Sequence, residues 1–479
     1  MPRRDAGVGS RRIRPALGRL PSAIGGECMR TLIRCGWLVS MDEKLGALRD
    51  AELLVEDDRI AAVGRNLAAR ADTEIDAREM IALPGLVNAH LHTFQAAMRG
   101  FGTEWTAPEY FRHQAGNLST RYAPEDNYLG NLLGALNQIH HGVTSVLDFC
   151  HNLKSREQAE RSIDGLEESG IRAVFAMARG MDSPVTPDAA VAAGRRPLTE
   201  EALALRKGRL ASDDRLVTLA LAMSGPHWSI YEVCVEHARL AKELDLLLCS
   251  HATRRSAEAR VPDGYDRLAA EGLLGPDHNL VHCQLLTDEE LRRILQTGAS
   301  ITSTCMNELH DYPDFPAAGR VHALGFLPSI GVDVEVQVPA DMWREAQTAL
   351  RAARQEAMMK LAARGEKAVK TPVRARDALA WSTLGGARAM GLEDRIGSLT
   401  PGKKADLILL RATDLNLHPV HDPTYAIEMA HAGNVDTVMI DGVLRKQHGK
   451  LLFDQALLRR KQEALAASAA RLIGEARFG

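Results

Sequence analysis

The chain has 479 residues, enough for more than one hydrophobic core or for one large barrel with an accessory domain. Hydrophobic residues make up 45% of it and charged residues 25%, which is ordinary for a globular protein. A net charge of −3 provides no long-range attraction to nucleic acid or to an anionic membrane, so we expect neither as a partner.

Residues 1–28 differ in composition from the rest of the chain. They are rich in Arg, Gly and Pro and lack apolar periodicity, so we expect a disordered tail. The start of the chain is then mis-assigned upstream of Met29, or, alternatively, these residues are a basic targeting peptide. No stretch resembles a secretion signal or approaches the roughly 20 apolar residues of a membrane-spanning helix. The seven cysteines are scattered and include no Cys-x-x-Cys pair, which favours a reducing, cytoplasmic setting.

Two β-rich segments lie far apart in the chain. Residues 29–86 carry β-type patterns at 31–39, 51–56 and 59–63, broken by acidic and Gly turn residues. Residues 392–446 carry a second strand, turn and strand pattern. We expect the two segments to form one discontinuous β-sandwich domain, with a C-terminal helical segment at 447–479.

The section between them, residues 87–391, alternates apolar strands with amphipathic helices, which predicts parallel βα units. Helices are expected at 125–141 and 341–363, and Ser229 and Thr287 each begin a capping-box pattern. Eight strands predict a distorted, closed (β/α)8 TIM barrel. An open doubly wound sheet is the alternative, although no Gly-x-Gly-x-x-Gly loop supports its nucleotide-binding form. The expected strand ends lie near residues 92, 150, 180, 228, 254, 286, 306 and 335.

Polar residues follow several of these apolar strands. His90 and His92, two apart, project from one face of the first strand. His251, His282 and Asp333 end the fifth, sixth and eighth strands, and the carboxyl ends of barrel strands meet at one face. Each alone could be a hydrogen-bonded core residue. Together, His90, His92, His251 and Asp333 predict a metal site with one position open for water, and Zn²⁺, Fe²⁺ and Mn²⁺ all accept such ligands.

The segment 84–92, Pro-Gly-Leu-Val-Asn-Ala-His-Leu-His, resembles the motif that opens the barrel in the amidohydrolase superfamily. Two further patterns of the same superfamily are matched downstream: Pro-Gly-Lys-Lys-Ala-Asp-Leu at 401–407 and Val-x-x-Val-x-x-Asp-Gly at 435–442. The overall pattern looks most like the branch of cytosine, guanine and S-adenosylhomocysteine deaminases and triazine hydrolases. The resemblance implies that His282 polarises the reacting group, that Asp333 both binds the metal and accepts a proton from water, and that the protein is a homodimer. Because no Lys ends the fourth strand, we expect one metal ion.

Further substrate-binding candidates surround this site. His227 matches a Pro-His motif of the resembled branch, although it could also be a turn residue. His151 lies beyond the second strand, and Gln95 and the aromatic loop beginning at Trp105 follow the first. That loop could close over a flat ring or could only pack onto the barrel. Arg179, beyond the third strand, is interpreted as a surface-loop residue.

One position departs from the resembled branch. Its deaminases carry a Glu three residues after the strand-five His, which protonates the ring nitrogen of the substrate. Here Arg254 stands at that position, and an arginine cannot shuttle a proton at neutral pH. Our hypothesis is that Glu308, after strand seven, supplies the acid; alternatively, Glu308 forms an ion pair with Arg254.

These residues predict a metal-dependent hydrolase of a carbon–nitrogen bond other than a peptide bond. The expected reaction is deamination, or amide or amidine hydrolysis, of a small cyclic or heterocyclic substrate, with catalytic roles for Asp333, His282 and Glu308 and one divalent metal, most simply Zn²⁺. One alternative is removal of chloride or an alkylamine from a triazine-like ring. A catalytically silent metal-binding barrel is a third hypothesis.

Overall fold

The computed structural model describes residues 29–180, 195–476 and 478. The tail expected at 1–28 lies outside these ranges. The strands are β1 Arg30–Val39, β2 Ala47–Glu56, β3 Arg59–Gly64, β4 Thr73–Pro84, β5 Leu86–Leu91, β6 Val143–Leu153, β7 Arg172–Arg179, β8 Val217–Met223, β9 Leu247–Ala252, β10 His278–His282, β11 Ser300–Ser303, β12 Ser329–Ile330, β13 Leu407–Arg411, β14 Val435–Ile440, β15 Val443–Gln447 and β16 Lys450–Leu451.

The first and last strands of the chain form one mixed sheet, in the order β16-β15-β14-β13-β4-β1-β2-β3. The two halves join where β4 pairs antiparallel with β13, with Leu83 opposite Ile408. Alternating apolar side chains such as Ile33, Leu53 and Leu407 pack into a core on this sheet. The expected association of the two β-rich segments is therefore confirmed. The sequence pattern did not resolve β4 as a separate strand, because charged residues interrupt its first half.

The eight middle strands form a parallel sheet in which each strand pairs with the next one along the chain, from β5 to β12. A bridge between Leu91 and Asp333 connects the two ends of this sheet. In that bridge the Asp333 amide donates to the His90 carbonyl at 3.0 Å, and the His92 amide donates to the Asp333 carbonyl at 2.9 Å. Gly331 permits the close approach, because a Cβ there would lie 2.5 Å from the His90 nitrogen. The expected (β/α)8 barrel is confirmed, and the open sheet is not formed.

The α-helices of the described ranges surround the barrel or follow it, and none is both long and apolar enough to cross a membrane. They are α1 Ala107–Tyr110, α2 Pro124–His140, α3 Arg156–Ser169, α4 Thr199–Lys207, α5 Tyr231–Glu243, α6 Gly264–Ala270, α7 Asp288–Gln296, α8 Cys305–Asp311, α9 Ala317–Ala323, α10 Met342–Ala363, α11 Ala375–Ala380, α12 Gly386–Ala389, α13 Ala426–Met429 and α14 Gln455–Glu475. Shorter 3-10 turns and two π-helical turns, Phe111–Leu118 and Trp381–Gly385, complete the connections.

The helix starts show which capping patterns are formed. Thr287 caps α7 as predicted: its hydroxyl accepts from the Glu290 amide, and the Glu290 carboxylate accepts from the Thr287 amide at 2.7 Å. The box predicted at Ser229 is wrong, because α5 begins at Tyr231 after Ile230. The Ser229 amide instead donates to the Gly225 carbonyl at 2.9 Å, so Ser229 belongs to the preceding turn.

Candidate metal centre and substrate cavity

The His-x-His pair lies at the end of β5, where the backbone alternation sends both imidazoles toward the barrel mouth. His90 is fully buried and His92 nearly so. The His92 Nδ1 lies 2.7 Å from the Phe149 carbonyl oxygen, a contact that only a protonated Nδ1 makes favourable. The His92 Nε2, on the other edge of the ring, lies 3.3 Å from Asp333 Oδ1.

Four side chains from three parts of the barrel converge at this point: His90, His92, His251 and Asp333. One ligand atom from each lies within 4.8 Å of the ligand atoms of the others. The His90 Nε2 is 3.0 Å from Asp333 Oδ1 and 3.3 Å from the His251 Nε2. Three imidazole nitrogens and one carboxylate oxygen suit a divalent cation, and a cation between them would relieve the crowding of two ring nitrogens.

The protonation states also suit a cation. Burial lowers the pKa of His90 to about 4, and burial lowers the pKa of His251 well below its ordinary value. Burial alone would raise the pKa of Asp333, but hydrogen bonds from His90 and His92 hold it well below its usual range. Neutral imidazoles and an ionised carboxylate are the forms in which these residues bind metals.

Two residues of the site have an unusual backbone. His282 has a φ of 73° and Asp333 a φ of 74°, both in the left-handed region that side chains other than Gly seldom adopt. Each such residue costs on the order of 1–3 kcal/mol and persists only where surrounding contacts enforce it. The strain falls on the two polar residues that end β10 and follow β12, as is common for functional sites.

His282 lies next to the four converging residues and lines the same cavity. Its Nδ1 is 3.0 Å from the Thr304 hydroxyl and 3.4 Å from Glu308, while its Nε2 is 4.0 Å from Asp333 Oδ2. Burial opposes ionisation of His282, but the hydrogen bond with Glu308 and the charge of Asp333 together raise its pKa above the ordinary value. His282 is thus held as a hydrogen-bond donor toward the cavity.

Glu308 is fully buried on the far side of His282 and does not line the cavity. Its carboxylate accepts from the Ser303 hydroxyl at 2.6 Å and from the Thr304 amide at 2.7 Å. The ion pair considered between Glu308 and Arg254 is not formed. The Arg254 guanidinium instead lies 3.8 Å from the Trp228 ring centroid and donates to the Glu258 carbonyl.

The cavity in front of these residues has aromatic walls and a few polar groups. Phe111 and Trp228 pack against each other with ring centroids 5.3 Å apart. The described lining comprises His92, His151, His251, His282 and Asp333 at the base, the rings of Tyr110, Phe111, Phe149, Trp228 and Tyr312, and the polar side chains of Ser224, Thr253, Asn307, Asp311, Gln337, Arg179 and Arg195, with small and aliphatic residues between them. Such a space suits a flat substrate with several polar substituents.

Of the substrate-binding candidates, only His151 lines the cavity; its Nδ1 lies 2.9 Å from the Nδ1 of His92. The other four do not line it, and three of them contact lining residues. Arg254 stacks on Trp228, Gln95 donates to the Tyr110 hydroxyl at 2.8 Å, and the Trp105 carbonyl accepts from Gln337 at 2.9 Å. His227 accepts from the Arg254 amide at 3.1 Å and packs on Tyr265.

Several lining residues were not expected from sequence. Arg179, interpreted as a surface residue, lines the cavity, and Arg195, Asp311 and Gln337 were not considered. Asp311 lies four residues after Asn307, another lining residue, so the two share a face of α8. No sequence pattern pointed to Gln337, because it sits in an irregular segment after β12.

The sequence profile of the amidohydrolase family matches residues 81–445, most of the chain. The chain belongs to the amidohydrolase family. It is 27% identical over 432 residues to the 5'-deoxyadenosine deaminase of Methanothermobacter thermautotrophicus, covering 88% of this chain and 95% of that protein. It is 28% identical over 455 residues to the 5-methylthioadenosine/S-adenosylhomocysteine deaminase of Desulforudis audaxviator, covering 91% and 98%.

The fold is similar to that of a solved zinc-bound adenosine deaminase from Xanthomonas campestris, with a TM-score of 0.77. The two sequences are 24% identical, and the match covers 93% of this chain and 98% of that one. A variant atrazine chlorohydrolase from Arthrobacter aurescens with zinc and atraton gives a TM-score of 0.75 at 20% identity, covering 92% and 100%. The expected superfamily and branch are confirmed. The protein is a metal-dependent hydrolase of carbon–nitrogen bonds other than peptide bonds.

Proposed function

We propose that this amidohydrolase releases ammonia or an amine from a small, flat heterocyclic substrate. The observation that carries the proposal is the position of the His90, His92, His251 and Asp333 cluster at the base of a cavity with aromatic walls. A ring-shaped substrate stacked between such walls would present its carbon–nitrogen bond to that cluster.

Each residue of the centre has a proposed role. The three histidines and Asp333 would hold one divalent cation, which when bound activates water for attack near neutral pH. Asp333 would take a proton from that water and pass it to the leaving nitrogen. His282 would donate a hydrogen bond to the oxygen that is being added, and Glu308 would orient His282 from behind.

Zinc is the metal we propose. Its preference for imidazole nitrogen with a single carboxylate fits the cluster, and two solved proteins to which the chain is similar contain zinc. Fe²⁺ and Mn²⁺ use the same ligand types. Metal analysis after growth in medium supplied with all three metals, followed by reconstitution of apoprotein with each, tests the choice.

We also propose a cytoplasmic homodimer. The six cysteines in the described ranges are all buried and free, which supports a reducing compartment. Tyr425 and Met429, four residues apart, are both more than half exposed and could contribute to contact between copies. Sedimentation of the purified protein tests the dimer.

The experiment that tests the activity is a substrate screen. Zinc-loaded protein is incubated with a panel of aminopurines, aminopterins, aminotriazines and cyclic amides, and release of ammonia or amine, or ring opening of the amides, is measured. Protein carrying Asp333→Asn serves as the blank, because the amide cannot accept the proton. Turnover of any member by the wild type alone supports the proposal. Metal-loaded wild type that turns over no member would instead indicate a silent barrel.

A further inference from the structure

The proposed reaction requires a proton donor that the metal centre does not provide. When water adds to the carbon of a C=N bond in a heterocycle, the electron pair of that bond moves onto the ring nitrogen, which must then receive a proton. In the proposed function Asp333 takes the proton of the attacking water, and its carboxylate faces the imidazole of His90 at 3.0 Å, so it does not also donate a proton at this stage. A second, protonated group facing the substrate is required.

Arg254 and Glu308 do not fill this role. Arg254 lies behind Trp228, and its guanidinium keeps its proton at neutral pH. Glu308 lies behind His282, and both of its carboxylate oxygens accept hydrogen bonds from Ser303 and Thr304. Its side chain has no access to the cavity.

Asp311 does face the cavity. It is the last residue of α8, and among the described lining residues it is the sole carboxyl group besides Asp333. Its side chain is only 5% exposed. Its oxygens receive two long hydrogen bonds, from Gln337 Nε2 at 3.4 Å and from Asn307 Nδ2 at 3.4 Å. The His310 Nε2 lies 3.9 Å from its Oδ1, and no Lys or Arg of the described chain forms an ion pair with it.

These contacts position Asp311, and its burial favours the protonated form. The Gln337 amide is fixed by its donation to the Trp105 carbonyl at 2.9 Å, so its contact with Asp311 has a defined direction. Burial raises the pKa of Asp311 to about 6; the charge of His310 opposes this rise, and the charge of Asp333 adds to it. An acid with a pKa near the working pH suits proton donation.

We propose that Asp311 is a catalytic acid that donates a proton to the ring nitrogen of the substrate, so that the enzyme acts on amidine-type C–N bonds, in which the leaving amine is attached to a C=N carbon. This inference rests on the proposed function. It predicts that heterocycles such as aminopurines, aminopterins and aminotriazines are substrates in preference to simple cyclic amides.

The proton balance closes over one turnover. In the first step the water oxygen bonds to the ring carbon, one water proton goes to Asp333, and the proton of Asp311 goes to the ring nitrogen. In the second step the bond between carbon and amine breaks, and the amine leaves with the proton from Asp333. The remaining hydroxyl proton returns to Asp311 as the C=O bond forms, which restores both carboxyl groups.

The experiment compares Asp311→Asn with Asp311→Glu and with Asp314→Asn, a matched control on a neighbouring exposed acid that pairs with Arg255. We expect Asp311→Asn to lower kcat by roughly 100-fold or more with KM changed only a few-fold, because the amide still hydrogen-bonds but has no transferable proton. Asp311→Glu should recover part of the rate. Asp314→Asn should match wild type, and metal content and thermal melting confirm that each variant is folded and loaded.

The pH profile adds a second readout. The titratable groups that face Asp311 are Asp333, His282, His310, Tyr110 and Tyr312. Since the protonated form is active, wild-type kcat/KM should decline as pH rises through the pKa of Asp311, and this alkaline limb should be absent from Asp311→Asn. A variant that retains both the wild-type rate and the alkaline limb would overturn the inference.

A substrate pair separates proton donation from simple positioning. A panel compound is compared with its analogue methylated on the ring nitrogen, at a pH where that analogue is already cationic and needs no acid. Asp311→Asn should slow only the parent compound, and equal slowing of both overturns the acid role. A wild-type protein that is inactive on the whole panel refutes the proposed function itself, whereas active wild type with an unaffected Asp311→Asn variant refutes only this inference.

Discussion

Arg254 shapes the cavity from outside it. Its guanidinium carbon lies over the ring of Trp228, 3.8 Å from the centroid, and Trp228 in turn donates to the Thr253 hydroxyl at 2.8 Å. Stacking of this kind contributes about 0.5–2 kcal/mol. The arginine therefore stabilises one orientation of an aromatic wall residue rather than contacting substrate.

We expect Arg254→Ala to raise KM roughly 2–10-fold while kcat stays within about twofold, because a stacking loss of this size loosens Trp228 and weakens uniform substrate binding. Steady-state kinetics on the best panel substrate measure the split. Arg255→Ala, which removes a neighbouring arginine that pairs with Asp314 on the surface, is the control. A large loss of kcat with unchanged KM would show that Arg254 acts in the transition state.

His251 is the residue that β9 contributes to the cluster. We expect His251→Ala to weaken metal binding by roughly 100-fold or more and to abolish turnover. Competition with a chromophoric chelator measures the affinity, and His421→Ala, at an exposed histidine, should leave it unchanged. Metal affinity equal to wild type in His251→Ala would remove His251 from the proposed site.

Helix α8 is the element on which the polar side of the cavity depends. It carries Glu308, which contacts His282, and ends at Asp311. At its start the backbone amides of Cys305 and Met306 donate to the two carboxylate oxygens of Glu345, which belongs to α10. A buried carboxylate thus caps a helix whose first amides have no partner within the helix.

We expect Glu345→Gln to lower the free energy of unfolding by about 1–3 kcal/mol, because one backbone amide would then face a side-chain NH₂ group and lose its acceptor. Activity should fall with it as α8 shifts. Urea unfolding and kinetics measure the two effects, and Lys360→Gln, on the exposed side of the same helix, should change stability by less than about 0.5 kcal/mol. Unchanged stability in Glu345→Gln would argue against the capping role.

At the scale of the whole molecule, Arg172 connects the barrel to the mixed sheet. From the start of β7 it donates to both oxygens of Asp406 at 2.7 and 3.0 Å, and to Asp441 at 2.7 Å. Arg172 and Asp406 are both almost fully buried. Such a group forms only when both segments are folded, so it should couple their unfolding.

We expect Arg172→Met to destabilise the protein by about 3–5 kcal/mol, because the buried carboxylate of Asp406 would lose its cation and Asp441 would keep only Lys404. Calorimetry measures the loss, and it should also show whether the barrel and the sheet then melt separately. Arg49→Gln, at an exposed pair with Asp50, should have almost no effect. A loss as small as that of Arg49→Gln would show that the group is dispensable.

The same group predicts part of the acid sensitivity. Burial opposes ionisation of Asp441, but Arg172 and Lys404 lower its pKa below the ordinary value of 3.8. A depressed folded-state pKa adds stability above pH 3.8, and that stability is lost as pH falls further through the folded pKa. Asp441→Asn should therefore show a weaker pH dependence of unfolding below pH 4 than wild type, and Asn tolerates the φ of 53° there. Equal slopes for both proteins would contradict this.

Local sequence predicted the strands of the barrel and the cluster of three histidines and Asp333. Buried parallel strands are continuous apolar runs, and a polar residue that ends such a run must lie at the mouth of the barrel; His90, His92, His251, His282 and Asp333 were recognisable in this way. The motif resemblance and the family comparison rest on the same short segments.

The direction of side chains in the connecting segments was decided only by the tertiary structure. Glu308 and Asp311 are three residues apart on one short helix, yet the first is buried behind His282 and the second faces the cavity. Gln337 is held by the carbonyl of Trp105, 232 residues earlier in the chain. Periodicity describes a regular element by itself, whereas the face that a loop or a short helix presents depends on distant segments packed against it.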